Sequence, residues 1–313
     1  MPTERWPEPL PSFRRARGFR LYDTRGRRYL DLCRDGSLLG HRPPGALTVM
    51  KAVLSQGLTS AVPTPWEGRL AARLARLFPA FPHVRLFASR ERAVRAAASW
   101  LGLDGLDPVD PALRVPGSAG PARVTAAFWR PFLPEPSGAG VLLPLLPLTV
   151  GGSPSPVCFP ASGDVPGTVS ELPAGDTIPG FICAGALKAL AAAALPGAGE
   201  ELEPANARLS AALEGGGKWA RVGPYIRALF APTEYARAHA EFLRAGVLLC
   251  PAYPGPSVLP GECSPGEARL LADLFAGVPG GNAPGAPGGN APGAPGGNAP
   301  GAPGGNAPGA PRG

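Results

Sequence analysis

Lysine is scarce in this 313-residue chain, with only Lys51, Lys188 and Lys218 among 30 basic residues, so any chemistry that needs a lysine amine has few candidates. Histidine is as rare, and His41, His83 and His239 lie too far apart in sequence to read as a metal motif. The five cysteines, Cys33, Cys158, Cys183, Cys250 and Cys263, form no CxxC pair and leave one over. That pattern suits reduced thiols in the cytoplasm better than a disulfide framework or a zinc site. The opening MPTERWPEPL has no apolar run of the kind a signal peptide needs, which again leaves a cytoplasmic protein as the expectation. No metal site is expected.

Proline and glycine, by contrast, are abundant at 43 and 44 residues. Part of that excess is a tail: from Pro279 the octet PGGNAPGA repeats four times and ends in Pro311, Arg312 and Gly313. It has no side chains for a core, its period is not the three of collagen, and a solvated, disordered segment at 279–313 is expected. The formal charge is +7, and the first fifty residues hold ten Arg against five acidic residues. These arginines alternate with Leu, Tyr and Asp instead of clustering with aromatics, so they read as decoration of exposed strands, and no nucleic-acid partner is expected. The longest apolar stretch, Ile178 to Leu195, contains Pro179 and Lys188 and is rich in Ala and Gly. Small residues with a central Lys and no polybasic flank read as a closely packed helix and not as a membrane span.

Between these extremes the patterning is that of a mixed α/β chain. RLYDTRGRRYLDL, Arg20 to Leu32, alternates large apolar and polar residues around Thr24, Arg25 and Gly26 and predicts an antiparallel hairpin. Apolar residues recur at helical spacing from Leu47 to Leu54 and from Leu70 to Leu77 behind Trp66 and Glu67. His83 to Ala88 reads as a strand, followed by an Ala-rich helix capped by Ser89 and running to about Leu101. Residues 102 to 176 break into Pro- and Gly-rich pieces, with short apolar runs at Val124 to Phe132 and Val141 to Leu148 and no long element. Helices are expected over Thr177 to Ala194, Pro204 to Leu213, Tyr235 to Ala245 and Ser264 to Phe275, with strands near Ile226 to Phe230 and Val247 to Cys250.

Taken in order, these segments resemble the class III aminotransferases, and within that family the glutamate-1-semialdehyde aminomutases. The hairpin resembles the family's opening "lyD.dG..YlD", and LLGHRPPGALTVMKAVLSQG resembles "lGH.hP.v..A...ql..G". PWEGRLAARLARLFP resembles the helix that begins with a Glu, and HVRLFASRERAVRAAASWL resembles "v.F..SGTEA...A...AR". LPEPSGAGVLLP, Leu133 to Pro144, resembles the "EP..g.gG...P" strand and loop. DTIPGFICAGALKALAAAAL resembles "T...P...AA.la.L", and FLRAGVLLCPAYPGPSVLPGECSPGEARLLADL resembles the family's small-domain ending. The resemblance covers about 1 to 101 and 177 to 278 and implies a shortened fold-type-I pyridoxal-phosphate transferase. Its parts would be an N-terminal hairpin segment at 1–45, a shortened large domain at 46–200, a small α+β domain at 201–278 and the tail. It also implies a homodimer, or a heterodimer with a complete paralogue, whose sites form at the subunit interface.

The family's chemistry needs a Lys that forms a Schiff base with pyridoxal phosphate and an acidic partner for the pyridine nitrogen. The family places its Lys between a DE[VI] strand end and the Thr matched by Thr177, yet no Lys and no DE[VI] lies between Ser89 and Thr177. The "YHG" aromatic that would cover the cofactor ring is also missing. Lys188 could serve as a relocated nucleophile, although a snorkelling surface Lys is the commoner role. By resemblance Ser89, Arg90 and Thr177 are the remnant of a phosphate site, Thr177 matching a position that the family supplies from the neighbouring subunit. Arg90 and Glu91 stand where the family has Gly and Thr, and a Glu91 carboxylate opposes a phosphate there. Pyridoxal phosphate is therefore the cofactor implied by resemblance, not bound covalently, and three readings stay open. These are a non-catalytic aminotransferase-like protein, an active aminotransferase or aminomutase with a relocated Lys, and a dimer partner or scaffold.

Overall fold

The alternation between Arg20 and Leu32 becomes two strands of a four-stranded sheet. In the computed structural model, which describes residues 9–33, 38–114, 124–148, 150–161, 169–193, 207–215 and 217–277, β2 (Arg20–Asp23) and β3 (Arg28–Asp31) pair antiparallel with Arg20 opposite Leu30 and Tyr22 opposite Arg28. Asp23 closes the turn by accepting the Arg25 and Arg27 amides at 2.9 and 2.8 Å, the local use for which a short carboxylate is suited. A strand that the hairpin pattern did not predict, β1 (Phe13–Arg17), adds to β2, and its Arg14, Arg15 and Arg17 are exposed, with the Arg15 guanidinium over the Tyr22 ring. These arginines thus decorate an edge strand. On the other side β10 (Val247–Leu248) joins β3 in parallel, Val247 opposite Leu30, and pairs segments more than two hundred residues apart in one sheet. The Gly-His turn after β3 is packed against this sheet: Gly40 has φ 74°, and a Cβ there would lie 3.0 Å from the Gly18 carbonyl oxygen, so the position needs glycine.

A second sheet, β4 (His83–Phe87), β7 (Ser155–Phe159), β6 (Ala139–Pro144) and β5 (Val124–Trp129) in that spatial order, is buried on both faces. Val84, Leu86, Leu142 and Cys158 point into one cluster with Leu70, Leu74 and Phe78 of the α2 region and Ile182, Cys183, Ala186 and Leu190 of α4. Phe87, Val141, Leu143, Val157 and Phe159 point the other way, against Ala93, Ala97 and Trp100 of α3. Burial of both phases of β6 explains why Val141 to Leu148 reads as a short continuous apolar run. The helices are α1 (Ala46–Leu54), α2 (Pro65–Leu77), α3 (Arg90–Trp100) and α4 (Gly180–Ala193).

β7 did not stand out in sequence because Pro154 precedes it and Pro156 interrupts it. Pro156 is tolerated opposite Leu86 because the Leu86 carbonyl faces away from β7 and accepts the Asp176 amide at 2.8 Å, so that pair requires no proline N–H. The expected helix over Thr177 to Ala194 starts later, at Gly180, because Pro179 takes the cap role and its carbonyl accepts the Ile182 amide at 2.9 Å. Among the described residues no helix is long and apolar enough to cross a membrane. α4 is instead packed between α1 and α2, with Met50 of α1 against Gly185, where any side chain would meet its sulfur.

The remaining elements surround the first sheet. α5 (Ala207–Gly215), β9 (Tyr225–Ala228), α6 (Pro232–Ala245) and α7 (Pro265–Phe275) follow in the expected order, and two short strands that the sequence did not predict, β8 (Trp219–Val222) and β11 (Ser257–Val258), flank β9. Residues 204–206 of the expected fifth helix and the repeat tail at 279–313 lie outside the described residues. Phe19, Leu30 and Leu32 share a core with Trp219, Phe242, Val247, Leu271 and Phe275. Arg20 joins β2 to α7 through a bidentate pair, Nε to Glu267 Oε1 at 2.8 Å and Nη2 to Oε2 at 2.6 Å. Burial alone would raise the Glu267 carboxyl, but the hydrogen bonds from Arg20 and from Ser264 outweigh it and hold it at about 2.

Candidate functional site at the carboxyl edge of the sheet

β4 is antiparallel to β7 and β7 to β6, so β4, β6 and β5 run the same way and their carboxyl ends lie along one edge of the sheet. In open α/β sheets that edge is where ligands bind, and here it carries Ala88, Ser89 and the start of α3, together with Arg130 just past β5.

Ser89 is extended (φ −149°, ψ 159°) and its hydroxyl accepts the Arg92 amide at 3.3 Å, so its side chain caps α3. Glu91 bends back over the same turn: its own amide, then the Ser89 hydroxyl, hold its carboxyl below the usual carboxylate range. Arg90 lies with its guanidinium 5.5 Å from the centre of the Phe128 ring. The residue that faces this turn from outside is Asp176. Its Oδ2 accepts the Ala88 amide at 2.9 Å and Arg92 Nε at 2.6 Å, and its Oδ1 accepts a second bond from Arg92 Nη2. The pair with Arg92 holds the Asp176 carboxyl below its ordinary value and raises the guanidinium.

Thr177, the next residue, is exposed and precedes a segment fixed from behind by Glu67. Glu67 Oε2 accepts the Thr64 amide at 3.1 Å at the start of α2, and Oε1 accepts the Ile178 amide at 2.8 Å. The structure therefore places Ser89 and Arg90 on the turn that the sequence pointed to and brings Asp176, the neighbour of Thr177, onto the same turn. Sequence reading missed Asp176 and Arg92. Their contact spans 84 residues, and the only signal available was a lone Asp beside the matched Thr.

A second ion pair completes the edge. Arg130, nearly buried, donates from Nε to Asp110 Oδ1 at 2.7 Å and from Nη2 to Oδ2 at 2.6 Å, with its guanidinium 5.0 Å from the centre of the Tyr225 ring. Asp110 also accepts the Ala112 amide at 3.0 Å. The three lysines lie elsewhere: Lys51 is exposed on α1, Lys188 is exposed on α4 with its stem over Gly45, and Lys218 sits beside Gly277. Among the described residues no group of His, Cys, Asp and Glu is arranged to hold a metal. Cys158 and Cys183, buried under the sheet, are pushed up by burial, Cys183 to about 12, so neither is a thiolate at neutral pH.

Comparison with known proteins separates what this fold is from what it does. No family model matches the chain. An uncharacterized protein of Treponema pallidum is 29% identical over 292 residues, covering 79% of this chain and 88% of the relative. The glutamate-1-semialdehyde 2,1-aminomutase of Syntrophus aciditrophicus is 33% identical over 85 residues, which is 26% of this chain and only 20% of that enzyme's length. Among solved structures, a glutamate-1-semialdehyde aminomutase from Pseudomonas aeruginosa PAO1 superposes with a TM-score of 0.57 at 17% identity, over 86% of this chain and 87% of that one. A transaminase with PLP bound gives 0.55 at 16%, over 85% and 89%. The order of hairpin, helices, sheet and closing helix, together with these superpositions, establishes that the chain has the fold of the class III pyridoxal-phosphate-dependent aminotransferases and aminomutases.

Proposed function

We propose that this protein is a non-catalytic relative of the aminotransferases, a scaffold that does not use pyridoxal phosphate as a covalent cofactor. The observation that carries the reading is the position of its lysines: none of Lys51, Lys188 and Lys218 lies on the carboxyl edge of the sheet, where Ser89 and Asp176 are. A pyridoxal aldehyde needs an amine within bonding reach to form a Schiff base, and this edge offers guanidinium groups, which remain protonated and are not nucleophiles. The edge also fits the cofactor's phosphate poorly. Asp176 takes the Ala88 amide and the Arg92 guanidinium beside the start of α3, and Glu91 folds onto its own amide, so two carboxylates stand where a phosphate would be repelled. The residues present do not fit the group.

Thr177 supports a role in assembly. It is exposed on the described chain, as are the apolar Leu54 at the end of α1 and Val62 between α1 and α2, and a surface that keeps such groups uncovered suits a partner subunit, whether a second copy or a complete paralogue. The cofactor reading is tested by titrating purified protein with pyridoxal phosphate, following absorbance, reducing with borohydride and mapping peptides by mass. The expected result is no reduced adduct at a single lysine. A stoichiometric adduct on one of the three would replace this reading with that of an enzyme using a relocated Lys, most directly on Lys188.

A further inference from the structure

The turn from β4 into α3 is tied down from within the chain. Gly175 and Asp176 run along the free edge of β4: the Asp176 amide donates to the Leu86 carbonyl at 2.8 Å, and a Cβ on Gly175 would lie 2.9 Å from that same oxygen. Glycine at 175 therefore permits the close approach that fixes where the next side chain falls. That side chain accepts from the Ala88 amide and both from Nε and Nη2 of Arg92, a fork matching the two carboxylate oxygens. A backbone amide beside a helix start and a two-pronged guanidinium are donors that would serve an external oxyanion equally well.

We infer that Asp176 is a built-in anion that takes the place of a bound phosphate at the β4–α3 turn and thereby excludes phosphate-bearing ligands from this edge of the sheet. The inference rests on the cofactor-free reading above and adds to it a single responsible side chain. Removing the carboxylate leaves Arg92 and the Ala88 amide facing an open turn, with Glu91 as the remaining opposing charge, so an inorganic oxyanion gains a site that the native chain denies it.

The test uses the full chain and inorganic phosphate as probe, with binding read by calorimetry and by phosphate-dependent melting temperature. Native protein is expected to show no saturable response at this turn, whereas Asp176→Ala gains at least ten-fold in phosphate affinity. Asp176→Asn, which keeps the size of the side chain and an acceptor for the Ala88 amide, provides the same comparison where the alanine variant does not fold. Adding Arg92→Ala to either variant should abolish the gain, which ties it to this turn. Native protein that binds phosphate as tightly as the variants, variants that gain nothing, or a gain that survives loss of Arg92 would each overturn the proposal. A lysine adduct with pyridoxal phosphate in native protein would instead overturn the cofactor-free reading, so the two failures are told apart.

Discussion

The interior of the β4–β7 sheet and its carboxyl edge have been treated differently. Inside, the two central strands β6 and β7 keep both apolar phases: Leu142 and Cys158 fill one face and Val141, Val157 and Phe159 the other, all essentially without exposure. At the edge, the polar groups are spent on one another, Asp176 on Arg92 and Asp110 on Arg130, with Glu91 folded onto its own turn. A fold is specified by its interior pattern and a chemistry by a few side chains at its rim, so one can persist while the other is replaced.

The interior half of that comparison is the more costly to disturb. Phe159 is fully buried between strands and packs edge-on against Trp100, with ring centres 4.9 Å apart, so Phe159→Ala should cost about 4 kcal/mol in chemical denaturation. A loss under about 1 kcal/mol would mean the sheet is loosely packed and the contrast with the edge is false. Next comes the joint between β2 and α7. Glu267→Ala strands a half-buried Arg20 without its carboxylate and should cost about 3 kcal/mol. Because the folded Glu267 carboxyl sits at about 2, below its ordinary value of 4.5, its contribution is fully present above about pH 4.5 and is lost as pH falls toward about 2. Denaturation midpoints measured through that window should fall steeply in native protein and less in Glu267→Ala. Parallel curves would show that the acid sensitivity lies elsewhere.

How much of this could be read from sequence follows the range of the interactions. The β2–β3 hairpin, the Ser89 and Ser264 caps and the amphipathic α2 were legible because their determinants lie within a few residues of each other. β7 was not, since Pro156 looks like a strand breaker until Leu86 is known to turn its carbonyl to Asp176. Nor was the partnership of β10 with β3, which pairs Val247 with Leu30 across most of the chain. At the site, Ser89 was legible as a helix cap, and Ser89, Arg90 and Thr177 were singled out as a phosphate remnant only by the family resemblance, whereas Asp110, Arg130, Arg92 and Asp176 matter only through contacts that close on folding. Loop carboxylates carry no periodicity, so nothing local marks the one that will meet a guanidinium.

The smallest predicted effect sharpens the comparison most directly, because it sets a residue of the edge against one with the same local role away from it. Ser89 and Ser264 are both extended residues whose hydroxyls accept an amide at 3.3 Å from three residues ahead, Arg92 and Glu267 respectively. If Ser89 retained a ligand-binding duty, its environment would be arranged for something other than capping, and its replacement would depend on whether that ligand were present. If it is only a cap, Ser89→Ala and Ser264→Ala should each cost about 1 kcal/mol. Added pyridoxal phosphate should leave both losses unchanged. A Ser89 penalty that grows in the presence of pyridoxal phosphate would show that the native edge binds that compound through this hydroxyl, and the line drawn between an apolar interior and a self-paired rim would have to be moved.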